Sequence, residues 1–180
     1  MNNLNKSILA LATLLIISSC DNKEKQILYS EVRIPELNSI FAGKDSIIPI
    51  PSNKPKIIIF HDSLECGTCR ISHLYEWDHI INYSRQLEEK FIPVFIFAPS
   101  KRKIKETKLH IKSKKISYAI YLDENNLFLK NNPHISKNRK NHTFLLDENN
   151  KIILIGNPIG NDRLASEYIK EIQKLTNNSN

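Results

Sequence analysis

A chain of 180 residues holds one hydrophobic core and falls short of two, because domains commonly run to about 100–200 residues. Its 41% hydrophobic and 25% charged residues match an ordinary globular domain and exclude the composition of disordered chains. The formal charge of +7 raises nucleic acid as a partner, but the lysines read as scattered and no RNP-like or helix-turn-helix pattern is present. The densest group, Lys101, Arg102, Lys103, Lys105 and Lys108, falls on a polar helix; the charge reads as a solvated lysine-rich surface, and no nucleic acid is expected.

The N-terminus reads as an address. Met1 to Lys6 carries one lysine and no acid, and Ile8 to Ile17 is almost purely apolar, the layout of a secretory signal. That run is shorter than the roughly 20 residues that span a bilayer. Ile17-Ser18-Ser19-Cys20 resembles a lipobox, which implies that residues 1–19 are removed and that Cys20 is acylated as a membrane anchor. The polar run after Cys20 is a tether, and residues 20–53 form the tether and N-terminal segment. With Cys20 spent, two of the three cysteines remain, Cys66 and Cys69 in a Cys-x-x-Cys spacing.

From Ile27 onward the pattern is that of a folded unit. Glu31 to Leu37 (EVRIPEL) is read as an edge strand, and Lys56 to Phe60 (KIIIF) as a buried strand. Ile71, Leu74, Trp77, Ile80 or Ile81, Ser84 and Leu87 recur at steps of three and four, predicting one amphipathic helix from about Cys66 to Lys90. Phe91 to Ala98 is a second buried strand, Lys101 to Lys115 a basic surface helix, and Tyr118 to Leu122 a third strand. Leu127 to Lys140 reads as loop with one short helical turn. His142 to Leu146 and Lys151 to Ile155 flank Asp147-Glu148-Asn149-Asn150 and predict a β-hairpin. A last helix, capped by Asn161 or Asp162, runs through Leu175. Right-handed crossovers place the early strands parallel and the hairpin antiparallel, an α/β architecture with a central mixed sheet and helices on both faces.

A buried strand, a short loop, Cys66-Gly67-Thr68-Cys69 and a helix together resemble the active-site unit of thioredoxin-fold proteins, and HTFLLDENNKIILIGNP resembles a segment of the membrane-anchored TlpA/ResA-type members. The resemblance runs from about Lys54 to Leu175, which assigns residues 54–176 to a thioredoxin-like domain. It implies a thiol-disulfide oxidoreductase with no cofactor beyond a redox-active Cys66–Cys69 disulfide, acting on extracytoplasmic protein disulfides or small oxidants. It also implies a membrane electron-donor protein as partner and a lipid-anchored place in the cell envelope, facing the periplasm or exterior.

Physical chemistry assigns roles within the pair. A cysteine at a helix N-terminus meets unsatisfied N–H groups and the positive end of the helix dipole, so Cys66 is the nucleophile. Cys69, one turn on and more enclosed, is the resolving thiol. In the dithiol loop, Gly67 permits the tight start of the helix and Thr68 tunes the pair, whereas the Glu65 carboxylate beside Cys66 should push its pKa upward. Asp62, His61 and His73 are candidate proton carriers.

Two departures from the family stand out. Its usual cis-proline before the hairpin is replaced by the loop Asn141-His142-Thr143, and the usual tryptophan before the dithiol by Glu65. A cis bond without proline costs about 2.5–4 kcal/mol, so Asn141 is expected trans. The missing ring lets His142 approach the sulfurs, which raises a second reading: a copper-binding metallochaperone similar to Sco-type proteins, with Cys66, Cys69 and His142 as ligands. A third is a redox-inert thioredoxin-fold interaction lipoprotein with an inaccessible dithiol. A c-type haem site is excluded, since Arg70 stands where that motif needs histidine.

Overall fold

The computed structural model describes residues 27–135 and 142–177. The signal-like segment, Cys20 and Asn141 lie outside the described residues, and with them the expected acylation and the expected trans bond.

Strand β3 (Lys56–His61) is where the sequence pattern acts most directly. Side chains alternate across a strand, so Ile57 and Ile59 join one core while Ile58 and Phe60 join the other. Strand β4 (Ile92–Phe97) runs parallel beside it, with Ile58 opposite Val94 and Phe60 opposite Ile96. Its Phe95 and Phe97 enter the first core, Val94 and Ile96 the second. Strand β5 (Ile120–Leu122) continues the parallel set, whereas β6 (Thr143–Leu146) and β7 (Ile152–Ile155) pair antiparallel on the other flank. Two further strands, β1 (Asn38–Phe41) and β2 (Lys44–Ser46), complete a seven-stranded sheet of order β2-β1-β5-β4-β3-β6-β7. The sheet therefore reaches into the stretch read as tether and N-terminal segment.

The edge strand is not the one expected. Glu31 to Leu37 makes only an isolated bridge, Glu31 to Lys151, along with the bond Val32 N–H to the Asn150 carbonyl at 2.8 Å; just ahead of it, Tyr29 N–H reaches the Ile152 carbonyl at 2.8 Å. Pro35 offers no amide to prolong a ladder. The segment instead packs flat, with Val32 in the second core beside Phe128 and Phe144. Buried Asn132 fastens it: its side chain accepts from the Arg33 N–H and donates to the Arg33 and Phe128 carbonyls.

The helix expected from Cys66 to Lys90 is broken. Helix α1 (Gly67–Ser72) gives way to a 3-10 turn (Leu74–Trp77), and α2 (Asp78–Gln86) follows. The reason lies in the spacing: Ile71, Leu74, Trp77 and Ile80 are three apart, and an unbroken α-helix would rotate them off one face. A 3-10 turn has 3.0 residues per turn, which keeps Leu74 and Trp77 aimed at the sheet. Helix α2 ends four residues before Lys90, where Glu88 and Glu89 take positive φ and the Ser84 hydroxyl donates to the Phe91 carbonyl. The basic helix α3 (Ile104–Lys114) follows a 3-10 turn at Lys101–Lys103; it lies on the surface but buries Thr107 and Ile111.

Helix α4 (Leu127–Asn131) is the short turn expected before the hairpin, and α5 (Asp162–Asn177) is the last helix, with Asn161 Oδ1 accepting from the Leu164 N–H as cap. The hairpin turn is an Asx turn, in which Asp147 Oδ1 accepts from the Asn149 and Lys151 amides at 2.9 and 2.8 Å. Helices thus flank both faces: α1, α2, α3 and α5 cover one, while α4 and the 27–37 segment cover the other.

Lys56 begins β3 fully buried, its Nζ donating to Asn150 Oδ1 at 2.8 Å. Burial lowers its pKa to about 8, against the opposing pull of Asp147 and Glu148. The unfolded chain holds the proton more tightly than the folded one, so stability rises as pH climbs from about 8 toward the ordinary 10.5. Lys56→Met should raise the melting temperature at pH 7, and thermal melts should show that gain shrinking across this window. A gain independent of pH would contradict the assignment.

Candidate functional site

The site lies where β3 runs out. His61 closes the strand, Asp62 Oδ1 accepts from the Leu64 N–H at 2.9 Å, and the Glu65 N–H reaches the Asp62 carbonyl at 3.2 Å. This turn delivers Cys66 to the N-cap of α1. There the Cys69 N–H donates to Cys66 Sγ at 3.4 Å, the Arg70 N–H to the Cys66 carbonyl at 3.0 Å, and Thr68 Oγ1 lies 3.5 Å from the same sulfur. Cys66 and Cys69 form a disulfide with their Cα atoms 5.2 Å apart.

Both cysteines are exposed, so enclosure does not distinguish them as expected. What distinguishes them is hydrogen bonding. Cys66 Sγ receives a backbone amide and faces a hydroxyl, two interactions that favour a thiolate there once the bond is reduced.

Glu65 spends its carboxylate on two neighbouring basic side chains. Its side chain is only 6% exposed, and Oε2 lies 2.6 Å from Arg70 Nε and 3.1 Å from His61 Nδ1. Burial would push the carboxyl up, but the hydrogen bond and attraction of His61, then those of Arg70, outweigh it and hold it below the usual carboxylate range. Its charge is thus answered locally, by Arg70 and His61. Arg70 is the residue that the sequence reading missed in this role: Glu65 precedes the helix, so no i,i+4 rule links the two.

Gly67 is also less special than expected. It has no positive φ, and a Cβ there would sit 3.5 Å from Thr107 Oγ1, an ordinary contact. The glycine marks where α3 leans on α1, a contact extended by Ser72 Oγ and His110 Nε2 at 3.2 Å.

The loop that stands in place of the family's cis-proline is described from His142 onward. His142 is buried, its carbonyl accepting from the Phe60 N–H at 2.9 Å and its ring edge-on to Phe60 at 5.2 Å. It lines a cavity with Glu65, Arg70, His73 and Trp77, without either sulfur. Thr143 lies in β6 opposite Ile59. Among the described residues no three His, Cys, Asp or Glu side chains are grouped to hold a metal ion, so the ligand set Cys66, Cys69 and His142 is not brought together. Of the remaining candidates, His61 is committed to Glu65, His73 pairs with Glu76 at 3.0 Å in solvent, and Asp62 shapes the turn.

No protein-family model matches the chain, and no curated protein does. Solved structures do. An uncharacterized thioredoxin-like protein from Porphyromonas gingivalis is 17% identical with TM-score 0.50, the match covering 84% of this chain and 96% of that one. A candidate protein disulfide isomerase from Bacteroides thetaiotaomicron is 20% identical with TM-score 0.51, covering 81% and 91%. A candidate thiol:disulfide interchange protein DsbE from Chlorobium tepidum is 14% identical with TM-score 0.52, covering 81% and 99%. The fold is thioredoxin-like. Identities this low establish the fold alone.

Arg70→Met leaves Glu65 buried with only His61 to answer its charge. The loss in stability should be about 1–3 kcal/mol near neutral pH, the cost of stripping a partner from a charged buried acceptor. A depressed carboxyl pKa stabilises the fold above its unfolded value, ordinarily 4.5, and that contribution vanishes as pH falls through the folded value. Denaturant titrations should therefore find the two proteins converging in acid; a gap that widens there would refute the pairing.

Proposed function

We propose that this protein is a thiol-disulfide oxidoreductase of the cell envelope, held at a membrane through acylated Cys20. The observation that carries the reading is an exposed Cys66–Cys69 disulfide whose first sulfur caps a helix and accepts an amide hydrogen bond. Solved neighbours described as a candidate disulfide isomerase and a candidate thiol:disulfide interchange protein support it. Among the described residues no helix is long and apolar enough to cross a membrane, which is compatible with an anchor outside the domain.

In the reduced form, the Cys66 thiolate attacks one sulfur of a substrate disulfide. A mixed disulfide forms, and the displaced substrate sulfur leaves as a thiolate that takes up a proton. Cys69, deprotonated, then attacks Cys66 Sγ, closes the ring and releases the second substrate thiol. Two electrons pass to the substrate, and a membrane electron-donor protein returns them to the pair. Neither the inert reading nor the copper reading gains from the geometry: the first needs an inaccessible dithiol and the second a third soft ligand beside it.

Cys66→Ser should abolish reduction of insulin disulfides and leave the circular dichroism spectrum unchanged. Cys69→Ser should instead accumulate the mixed disulfide, seen as an added substrate mass that a small thiol releases. Full activity in the Cys66 variant would end the proposal.

A further inference from the structure

The charge of this protein is concentrated in one place. Residues 101–115 hold eight Lys and Arg against the single acid Glu106, a formal +7 that equals the net charge of all 180 residues. The rest of the chain is balanced. The stretch read as part of a scattered lysine surface is therefore the source of the net positive charge, and it is α3 with the turn that leads into it.

Its position gives the charge a use. The start of this element borders the dithiol: Lys103, Glu106 and Thr107 line a recess of about 90 Å³ together with Cys66, Thr68 and His61. Thr107 and Ile111 turn inward, which leaves Lys101, Arg102, Lys105 and Leu109 on the outer face at helical spacing. Leu109, at the end of this stripe, is 58% exposed.

The charges are only partly answered from within. The acids around the sulfurs are engaged elsewhere: Glu65 by Arg70 and His61, Glu76 by His73, Glu106 by Lys103, and Asp62 by the Leu64 amide. Asp45 on β2 is shared by Lys108 and Lys112 at 3.0 and 2.6 Å, two cations on one carboxylate. Lys101, Arg102 and Lys105 have no carboxylate within ion-pair distance among the described residues.

We infer that the outer face of α3 is a docking rim for an acidic protein partner, one that carries its exchanging disulfide or dithiol beside a negatively charged surface. This rests on the redox reading of Cys66 and Cys69 and names the kind of partner that they meet. Complementary charge around a reactive centre raises encounter rates and fixes the approach, and it does so in a salt-dependent manner. A protein rather than a lipid surface is favoured because the same element lines the recess beside Cys66 through Lys103, Glu106 and Thr107, and headgroups pressed against it would obstruct the recess that a substrate must reach.

The test uses the pre-reduced full chain and three probes: two disulfide-cyclised peptides that differ only in aspartate or lysine flanks, and neutral bis(2-hydroxyethyl) disulfide. The rate constant for the acidic peptide should exceed that for the basic one by about tenfold at low salt, and the two should converge where the Debye length falls to about 3 Å near 1 M. Joint Lys101→Glu, Arg102→Glu and Lys105→Glu substitution should reverse the preference and leave the neutral disulfide within twofold. Equal rates for the two peptides in the unmodified chain, or a preference that survives charge reversal, overturns the proposal. So does binding of this face to phosphatidylglycerol vesicles without any peptide preference. Failure to reduce even the neutral disulfide ends the redox reading, and the docking rim with it.

Discussion

A strand that is paired along both edges and covered on both faces leaves its chain one way out, along its own axis. Strand β3 is such a strand, held between β4 and β6 with Ile57 and Ile59 in one core and Ile58 and Phe60 in the other. Burial on this scale is the main favourable term in folding, and in close-packed surroundings it tolerates little displacement. His61 therefore emerges at a fixed point, and the turn through Asp62 and Glu65 can place Cys66 at a helix start. Everything chemical about the site is downstream of that placement.

The surroundings of the sulfurs are organised by charge at two distances. Close in, Glu65 spends its carboxylate on Arg70 and His61, so a negative group directly beside Cys66 in the chain leaves the sulfur to an amide and a hydroxyl. Farther out, α3 leans on α1 through Thr107 and Gly67 and sets a strongly basic element next to the same loop. Under the proposed redox function, the inner arrangement bears on how readily a thiolate forms, and the outer one on what comes near it.

Much of this was legible in the residues themselves. The buried strands announce themselves as apolar runs, the hairpin by its Asp-Glu-Asn-Asn turn, and the dithiol by a Cys-x-x-Cys spacing placed between an apolar strand and a helix. What was not legible depends on partners distant in sequence. The period-three run from Ile71 to Ile80 looks like an amphipathic helix until the sheet it must face is known, and only then is a 3-10 turn the better solution. Pro35 in EVRIPEL was visible, but its effect emerged only with the ladder that it failed to extend. Glu65 looked like a hindrance to Cys66 because nothing local says where its side chain turns. Likewise, the clustered charge on α3 gained meaning once that helix was seen beside the cysteines.

The stitched segment after Ile27 has a mechanical side. Before reaching the sheet's edge, the backbone is tied to the start of β7 through Glu31 and its neighbour Lys151 and to the end of α4 through Arg33 and the capping Asn132. Lys151 sits by the turn that Lys56 reaches, at the end of β3 remote from the sulfurs. Tension applied ahead of Ile27 would thus load the hairpin and the short helix behind it, peeling a few amide bonds there while the cysteine loop stays unstrained.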